Sequence, residues 1–444
     1  MTVKIIGAGL AGCEAAWQLA ERKIAVELFE MKPHKLSPAH VSGDFAELVC
    51  SNSFRSNELA NAAGLLKEEM RMLGSIIMRC ADETRIPAGS ALAVDRQRFA
   101  SMVTDKLKSH PYITVIQREV TNIPDGQVIV TSGPLTSDDL ANKIASLLPD
   151  AAMLSFFDSA APIVTFESVD MENAYFASRY GKGEADYINC PMSRDQYEAF
   201  YIELINADEA KPRGFEECMV FEGCIPIEIM ARRGKDTMRF GPLKPVGLRD
   251  PKTGREPYSV VQLRKDNAEG TLYNLVGFQT HLKFPEQKRV FSMIPALREA
   301  QFVRYGVMHR NTYLDSPKLL DRYNCLKTMP RVSFAGQITG VEGYIESASS
   351  GMLTGIETAR RLYGLPPADF SDETAIGALA LYTAGGAVSK FQPMNINFGL
   401  IKPLDVKVKG KRNKNLAISD RSLNQIALYG VQRADEREAI ENYR

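Results

Sequence analysis

The stretch that decides the fold is Val3-Lys4-Ile5-Ile6-Gly7-Ala8-Gly9-Leu10-Ala11-Gly12, close to the start of the chain. Val3 to Ile6 are mainly apolar and predict a short strand, which the glycine-rich segment ends. Apolar residues then recur at helical spacing up to Ala20, and a second apolar run, Ile24 to Phe29, stops at Glu30. The order strand, turn, helix, strand predicts a βαβ unit that opens a parallel sheet.

The three glycines of this motif have separate tasks in a dinucleotide-binding turn. Gly7 permits the tight turn, Gly9 lets the backbone approach a pyrophosphate, and Gly12 lets the helix pack on the strand. Unpaired N–H groups at the start of the helix favour an anion. Glu30, about twenty residues further on, is placed to accept a hydrogen bond from a ribose 2′-hydroxyl. The sequence therefore predicts a site for FAD or NAD. Its residues are Gly7, Ala8, Gly9, Leu10, Ala11, Gly12 and Glu30.

A second glycine-rich turn, near the other end of the chain, favours FAD over NAD. Val332 to Gly336 predicts a buried strand, which Gly336-Gln337 ends ahead of a helix that begins after Gly343. In flavoproteins such a turn lies against the flavin, and the helix N-terminus stabilises the anionic reduced ring. Tyr344 is a candidate for stacking on that ring, or else an aromatic packed at a domain seam. Gly336, Gln337 and Tyr344 therefore join the predicted cofactor site.

The pattern along the chain predicts an inserted domain. The helix from about Ser347 to Leu362 has one smooth side, at Gly351 and Gly355, and we expect the two ends of the chain to build one domain. Residues 186–315 differ, with short mixed strands, proline and glycine breaks and basic clusters. We predict an α/β fold in which a Rossmann-type FAD-binding domain, 1–185 and 316–444, carries an inserted mixed α+β domain at 186–315. The last part includes a basic segment at 402–414.

The composition describes a soluble globular chain with balanced charge. Of 444 residues, 45% are hydrophobic and 24% charged, with 54 basic residues against 54 acidic ones. No apolar run approaches the ~18 residues of a membrane span, and the first residues enter a strand rather than a signal peptide. We expect a cytoplasmic protein with no membrane partner. A nucleic-acid partner requires a local basic face. Such an RNA-binding face is predicted at Arg232, Arg233, Lys235, Arg239 and Lys244.

The seven cysteines are scattered and form no CxxC pair, so reduced thiols are expected and a metal site is not. Cys13, Cys80 and Cys325 are interpreted as small buried hydrophobic residues. Cys50 differs, because hydroxyl and amide side chains and an arginine, Arg55, follow it, and that charge favours a thiolate. Cys224 lies between a glycine and a proline, just ahead of the basic cluster. These last two cysteines are predicted to be exposed and tunable thiols.

Segments spread over nearly the whole chain carry a family resemblance. The sequence closely resembles the folate- and FAD-dependent tRNA (uracil-5-)-methyltransferases, once grouped with the glucose-inhibited division proteins. Only the extreme C-terminal tail lacks a clear match. The matching segments are Gly7 to Gly12, Ala46 to Ser56, Leu92 to Arg96, Gly133 to Ser137, Asn189 to Met192, Glu222 to Glu228, Phe240 to Leu248, Val276 to Thr280, Met308 to Thr312, Gly336 to Ala348 and Phe391 to Gly399.

This resemblance implies an activity and its partners. It implies a Rossmann-type FAD domain with an inserted domain, and an enzyme that methylates C5 of the uridine at position 54 in the T loop of tRNA. The carbon comes from methylenetetrahydrofolate and the reducing hydride from reduced FAD, which NADPH or NADH reloads. The implied partners are the tRNA T arm and folate, and no protein partner is evident from the sequence.

The resemblance also assigns the two catalytic residues to Cys50 and Cys224. Uracil C5 becomes a nucleophile when a thiolate adds at C6. We interpret Cys224 as the C6 nucleophile, because it lies beside basic residues suited to an RNA backbone. Cys50 is then the second thiol, which helps to remove the C5 proton or guards the flavin. The reverse assignment stays open.

Two other functions fit parts of the sequence. The same chemistry on a 23S rRNA uridine uses the same residues, because the sequence does not encode RNA specificity in a readable way. A small-molecule flavoprotein oxidoreductase uses the same FAD scaffold, yet it has no need of an RNA-facing cysteine. Either RNA substrate requires extrusion of the base, since C5 and C6 must reach the thiol.

Overall fold

The computed structural model describes residues 1–37, 39–149, 153–181, 184–210, 225–385 and 391–442. The strands are β1 (Thr2–Ile6), β2 (Ala25–Glu30), β3 (Ser53–Ser56), β4 (Arg85–Ile86), β5 (Ala91–Val94), β6 (Ile113–Gln117), β7 (Gln127–Val130), β8 (Met153–Ser159), β9 (Ile163–Thr165), β10 (Tyr175–Ala177), β11 (Tyr187–Met192), β12 (Ser259–Lys265), β13 (Leu272–Leu275), β14 (Phe302–Arg304), β15 (Met308–Leu314) and β16 (Val332–Phe334). The helices are α1 (Leu10–Ala20), α2 (Ala62–Met72), α3 (Ile76–Glu83), α4 (Arg96–Lys108), α5 (Asp138–Ser146), α6 (Arg194–Asn206), α7 (Ile227–Arg232), α8 (Thr237–Phe240), α9 (Phe284–Phe291), α10 (Ser316–Leu319), α11 (Tyr344–Leu362), α12 (Ala375–Thr383) and α13 (Lys411–Asn442).

Strands from both ends of the chain form one parallel sheet. Its order is β16-β7-β1-β2-β6, and every neighbouring pair is parallel. The central strand β1 is buried on both sides because its apolar residues are covered by helices, as in other doubly wound sheets. The predicted βαβ unit and the predicted union of the two chain ends are both confirmed.

Helices α1 and α11 pack closely because glycine removes the side chains between them. A Cβ atom at Gly351 would lie 2.1 Å from the carbonyl oxygen of Ala11, and one at Gly355 would lie 2.9 Å from that of Ala15. The smooth side predicted for the late helix is therefore the face that packs on α1. This contact brings the late turn at Gly336 next to the early turn at Gly7.

The second sheet is antiparallel and belongs to the middle of the chain. Its order is β10-β11-β12-β13-β9-β14, and helices α6, α7 and α9 pack on it around a core rich in aromatic residues. The strands of this sheet begin at Ile163 and end at Arg304, so they include residues on both sides of position 186. The parallel sheet with an inserted antiparallel sheet agrees with the predicted fold class, while the domain limits at 186 and 315 stay predictions.

Three smaller features position the site. A three-stranded sheet, β3-β5-β4, begins shortly after Cys50, and β8 pairs with β15 as a separate antiparallel ladder.

The long helix α13 is anchored by Glu436, whose carboxylate bonds Arg22 at 3.0 Å and Arg360 at 2.6 Å. None of the helices in the described ranges has the length and apolar character needed to cross a lipid bilayer.

Candidate functional site

An open cleft runs along the carboxyl edge of the parallel sheet. Its empty volume is about 1060 Å³, counting the open mouth. Segments distant in the sequence line it: the turn after β1, the end of β2, residues 131–137 after β7, and the start of α11. Ligands of doubly wound sheets bind at this edge.

The glycines of the early turn occupy the three environments that the sequence predicts. Gly7 has φ of +103°, and a Cβ there would lie 2.8 Å from the backbone of Ser132. A Cβ at Gly12 would lie 1.9 Å from the carbonyl oxygen of Gly7, so any side chain would separate helix from strand. A Cβ at Gly9, by contrast, meets no protein atom within 4 Å. Because Gly9 lines the cleft, the space beside it is available to a ligand.

Glu30 lies at the end of β2 and lines the same cleft. Its carboxylate accepts the backbone N–H of Ala8 at 2.7 Å and that of Lys32 at 3.0 Å. These bonds hold the side chain beside the glycine turn, and each oxygen keeps a lone pair for a further donor. Glu30 is therefore fixed where a ribose hydroxyl is expected.

The late turn contributes Gly336, Gln337 and Tyr344 to the cleft wall, as predicted. Gly336 has φ of +85°, and its N–H donates to Ser350 Oγ at 3.1 Å, so this particular amide is occupied within the protein. The helix begins at Tyr344, directly after Gly343, as expected. Ala8 and Gly12 do not line the cleft; they support it from behind.

Tyr344 links the cleft to Cys50. Its phenol oxygen accepts the backbone N–H groups of Cys50 at 2.7 Å and of Ser51 at 3.0 Å. The ring also lies against Phe54, with centroids 5.9 Å apart. Burial raises the pKa of the Tyr344 phenol well above its usual value. Tyr344 therefore has features of both predicted roles, because it lines the cleft and also packs as an aromatic residue against the segment that carries Cys50.

Cys50 is half-buried, and its charge interacts with those of Arg96 and Arg264. Arg55 has a φ of +62°, and its side chain pairs with the fully buried Glu346. Arg96 instead donates to the carbonyl oxygen of Leu48, and the charges of Arg96 and Cys50 interact. Gln279 approaches from the inserted sheet, with Nε2 4.0 Å from Cys50 Sγ.

The remaining cysteines divide into two groups. Cys13, Cys80 and Cys325 are buried, which confirms the packing interpretation, and Cys190 is buried as well. Burial raises the pKa of the Cys80 thiol to about 12, so it stays protonated near neutral pH. The predicted nucleophile Cys224 lies outside the described residues. The chain is described again from residue 225, and the N–H of Ile227 donates to the carbonyl oxygen of Gln279 at 2.8 Å.

Three of the five predicted RNA-binding residues, Arg232, Arg233 and Lys235, are exposed, and acidic neighbours partly neutralise their charge. Arg232 pairs with Glu209, and Lys235 pairs with Glu198 at 2.7 Å. Arg233 is exposed. Two further predicted residues belong to the same surface. Arg239 stacks 3.6 Å over the ring of Tyr258 and pairs with Asp236, and Lys244 is half-buried.

Several residues of this region escape an argument based on sequence alone. Phe240 follows the basic cluster with 82% of its surface exposed. The neighbouring Pro242 packs on Gly277, where a Cβ would lie 2.5 Å from its ring, and Gln279 follows two residues later. Phe240 and Gln279 both fall in segments that resemble the family. The exposure of Phe240 and the approach of Gln279 to the Cys50 thiol have no local signal in the sequence.

The fold and the cleft define an α/β protein of the class whose parallel sheet opens on a glycine-rich turn of the dinucleotide-binding type and carries an inserted antiparallel sheet. Residues 2–366 match the family described as glucose inhibited division protein A. The chain belongs to that family.

Relatives within the family match almost end to end. A protein of Acetivibrio thermocellus, methylenetetrahydrofolate–tRNA-(uracil-5-)-methyltransferase TrmFO, is 59% identical over 428 residues, which is 96% of this chain and 98% of the relative. The protein of the same name from Desulfitobacterium hafniense is 55% identical over 425 residues, 96% of this chain and 97% of the relative. The resemblance inferred from the motifs is therefore confirmed.

A solved structure shares the fold. The GidA protein of Aquifex aeolicus superposes with a TM-score of 0.72 over 99% of this chain and 75% of that one, at 16% identity. At that identity the likeness concerns the architecture alone. It agrees with a parallel sheet that carries inserted antiparallel strands.

Proposed function

We propose that this chain is a methylenetetrahydrofolate- and FAD-dependent tRNA (uracil-5-)-methyltransferase that acts on the uridine at position 54 of the T loop. The observation that carries the proposal is the identity of 59% over 96% of the chain to a protein of that name. The cleft supports it independently, because its glycine geometry suits a dinucleotide and the backbone of Cys50 is hydrogen-bonded to Tyr344 in the cleft wall.

The cofactor residues have distinct tasks in this proposal. Gly9 and the N-terminus of α1 bind the pyrophosphate, Glu30 accepts the ribose hydroxyl, and the turn at Gly336-Gln337 and Tyr344 borders the flavin ring. Bound FAD supplies, in its reduced form, the hydride that converts a one-carbon unit from methylene to methyl. Methylenetetrahydrofolate provides that carbon, and NADPH or NADH is the external reductant.

The two cysteines activate the uracil. A thiolate, assigned to Cys224, forms a bond to C6, and the electrons of the C5=C6 bond become the nucleophile at C5. After C5 has bonded to the methylene carbon, the C5 proton leaves and the bond between that carbon and its carrier breaks. A hydride then adds to the carbon to complete the methyl group, and the C5=C6 double bond re-forms as the sulfur departs. Cys50 assists the loss of that proton. The basic residues beside Cys224 in the sequence hold the RNA backbone, and the base is extruded to reach the thiol.

A fluorinated RNA tests the thiol chemistry directly. An RNA T arm with 5-fluorouridine at position 54 should form a covalent adduct, because fluorine is not lost from C5 as a proton is. Peptide mapping should place the RNA on Cys224. The Cys224→Ala variant should form no adduct while keeping bound FAD, and Cys50→Ala should form adduct without turnover. Cys190→Ala, which removes a buried thiol, is the matched control and should behave as wild type.

Other outcomes would redirect the proposal. Mapping to Cys50 reverses the two roles, and an adduct that survives loss of both cysteines excludes thiol catalysis. Mass spectrometry of tRNA and rRNA from a deletion strain separates the targets. Loss of 5-methyluridine from 23S rRNA alone would contradict the tRNA assignment, and loss from neither RNA would favour a small-molecule oxidoreductase.

A further inference from the structure

Arg264 is a buried cation for which the described part of the chain offers no carboxylate within ion-pair distance. The residue is 8% exposed. Its Nε donates to Asn52 Oδ1 at 2.9 Å and its Nη2 donates to Ser51 Oγ at 2.7 Å. The phenol of Tyr187 is a third neutral partner. Burial lowers the pKa of this guanidinium, and the charges of Asp266 and Cys50 oppose that shift only in part.

The acidic groups nearby are already paired with other cations. Asp266 bonds Arg96 at 2.8 Å, and both members of that pair are largely buried. Glu47, on the segment that leads to Cys50, lies 3.8 Å from the ammonium group of Lys32. The charge of Asp266 also acts on Arg264, but among the described residues no carboxylate lies within ion-pair distance of that guanidinium.

A further arginine adds to the positive charge. Arg304 donates to the carbonyl oxygen of Ala39, and burial lowers its pKa also. The charges of Arg96, Glu47 and Asp266 all act on it. Among the described residues, this seam between the two domains thus holds more positive than negative charge. A seam of that kind favours an anion.

Cys50 is the ionisable group that the excess charge surrounds. It immediately precedes Ser51 and Asn52, the two residues that Arg264 bonds. A negative charge on Cys50 favours the protonated forms of Arg264 and Arg96. The phenol of Tyr344 and the amide of Gln279 complete the polar surroundings of this thiol.

We propose that Arg264 is a positioning residue that supplies the counter-charge for a thiolate at Cys50. It acts across the domain seam, so docking of the inserted sheet on the cofactor domain promotes the ionisation of Cys50. This inference rests on the proposed function, in which Cys50 reacts as a thiol. It assigns to β12 of the inserted domain the task that the sequence gives to Arg55.

The reactivity of Cys50 toward iodoacetamide tests this proposal. The rate is measured from pH 5 to 10 on the FAD-loaded full chain without RNA, and mass spectrometry of the Cys50 peptide separates it from other thiols. Arg264→Gln should move the midpoint of the pH–rate profile up by about one pH unit, and Arg264→Lys, which keeps the charge, should restore it. Asp266→Asn removes a negative charge from the same seam and should move the midpoint down.

A matched control separates charge from general damage. Arg179 lies on the inserted domain and also bonds neutral acceptors, the carbonyl oxygens of Lys244 and Val246, but it does not bond the Cys50 segment. Arg179→Gln should leave the Cys50 profile unchanged. An unchanged midpoint in Arg264→Gln, an Arg264→Lys profile equal to that of Arg264→Gln, or an upward shift in Asp266→Asn would each overturn the inference. The alkylation assay contains no RNA or folate. Its result is therefore independent of whether the protein methylates tRNA, and a failed alkylation prediction would not contradict the proposed methylation.

Discussion

The phenol oxygen of Tyr344 accepts the backbone N–H of Cys50 at 2.7 Å, so one side chain contacts both the predicted flavin cleft and the loop that carries the thiol. The two residues are 294 positions apart in the chain. Together with the bond from the N–H of Ser51, this contact holds the backbone that carries the thiol against the cleft wall.

Tyr344→Phe is expected to lower methylation while keeping the flavin. The variant retains the ring but leaves the N–H groups of Cys50 and Ser51 without their acceptor, at a cost of roughly 1–3 kcal/mol each if they stay buried. We expect a lower rate at full flavin content, measured by 5-methyluridine formation and flavin absorbance. Tyr382→Phe is the control, since it also removes a buried phenol hydrogen bond, to Gln392. Equal losses in both variants would contradict a specific role for Tyr344.

Gly9→Leu and Gly12→Leu should separate cofactor binding from folding. A side chain at Gly9 meets no protein atom, so the fold should survive while the pyrophosphate is excluded. A side chain at Gly12 collides with the carbonyl of Gly7, so that variant should lose both flavin and stability. Flavin absorbance and the thermal midpoint measure the two effects. A yellow Gly9→Leu protein would show that this turn does not contact the cofactor.

Lys67→Met is expected to change how stability depends on pH. Lys67 is fully buried and donates to the carbonyl oxygens of Phe54 at 2.9 Å and Ser56 at 2.6 Å. Burial lowers the pKa of Lys67 to about 7. In the unfolded chain the pKa of a lysine is about 10.4. Between pH 7 and that value the unfolded chain binds more protons than the folded one, so the free energy of unfolding rises with pH.

The Lys67→Met variant should lose this rise, which is at most about 1.4 kcal/mol per pH unit for one group. Urea denaturation from pH 7 to 10 measures the free energy of unfolding of both proteins. The contributions of other titrating groups cancel in the difference between the two curves. Lys108→Met, at an exposed position, should keep the wild-type dependence. Parallel curves for Lys67→Met and wild type would indicate that Lys67 keeps an ordinary pKa.

Replacing Arg232, Arg233 and Lys235 by alanine should weaken tRNA binding and flatten its dependence on salt. Each phosphate contact with a duplex releases about 0.9 counterion. The slope of log binding constant against log salt concentration should therefore fall in magnitude by about 1 to 3. Because Arg232 and Lys235 already pair with acidic residues, we expect a slope reduction near the lower end of that range. Flavin content should not change. A control triple variant at Arg98, Lys108 and Lys143 should retain the slope; equal slopes in all three proteins would exclude this surface as the RNA platform.

Phe240→Ala should weaken RNA binding without lowering stability. The ring is 82% exposed beside basic residues, an arrangement suited to stacking on an unpaired base. Such stacking contributes about 1–3 kcal/mol per base. Phe240→Trp should preserve binding, and Phe176→Ala, at a less exposed ring, should not affect it. Fluorescence titration with T-arm RNA measures all three, and tight binding by Phe240→Ala would remove this residue from the interface.

The sequence alone determined the dinucleotide turn, because its requirements are local. The tight approach of Gly12 to Gly7 lies within the turn itself, and the open space beside Gly9 is a property of the same turn. At Gly7 the contact with Ser132 adds a constraint from a distant segment. The start of α11 after Gly343 was predictable for the same reason, and the family resemblance added the activity and the two cysteines.

Only the tertiary structure decided which charges surround Cys50. Arg55 is near in sequence, yet its backbone has a positive φ and its side chain pairs with Glu346. Arg264 is 213 residues from Ser51, and the docking of the inserted sheet brings it to the thiol loop. A local pattern shows which residue types are present, but electrostatic interactions depend on distance in space, and that distance is set by how two separately folded sheets pack together.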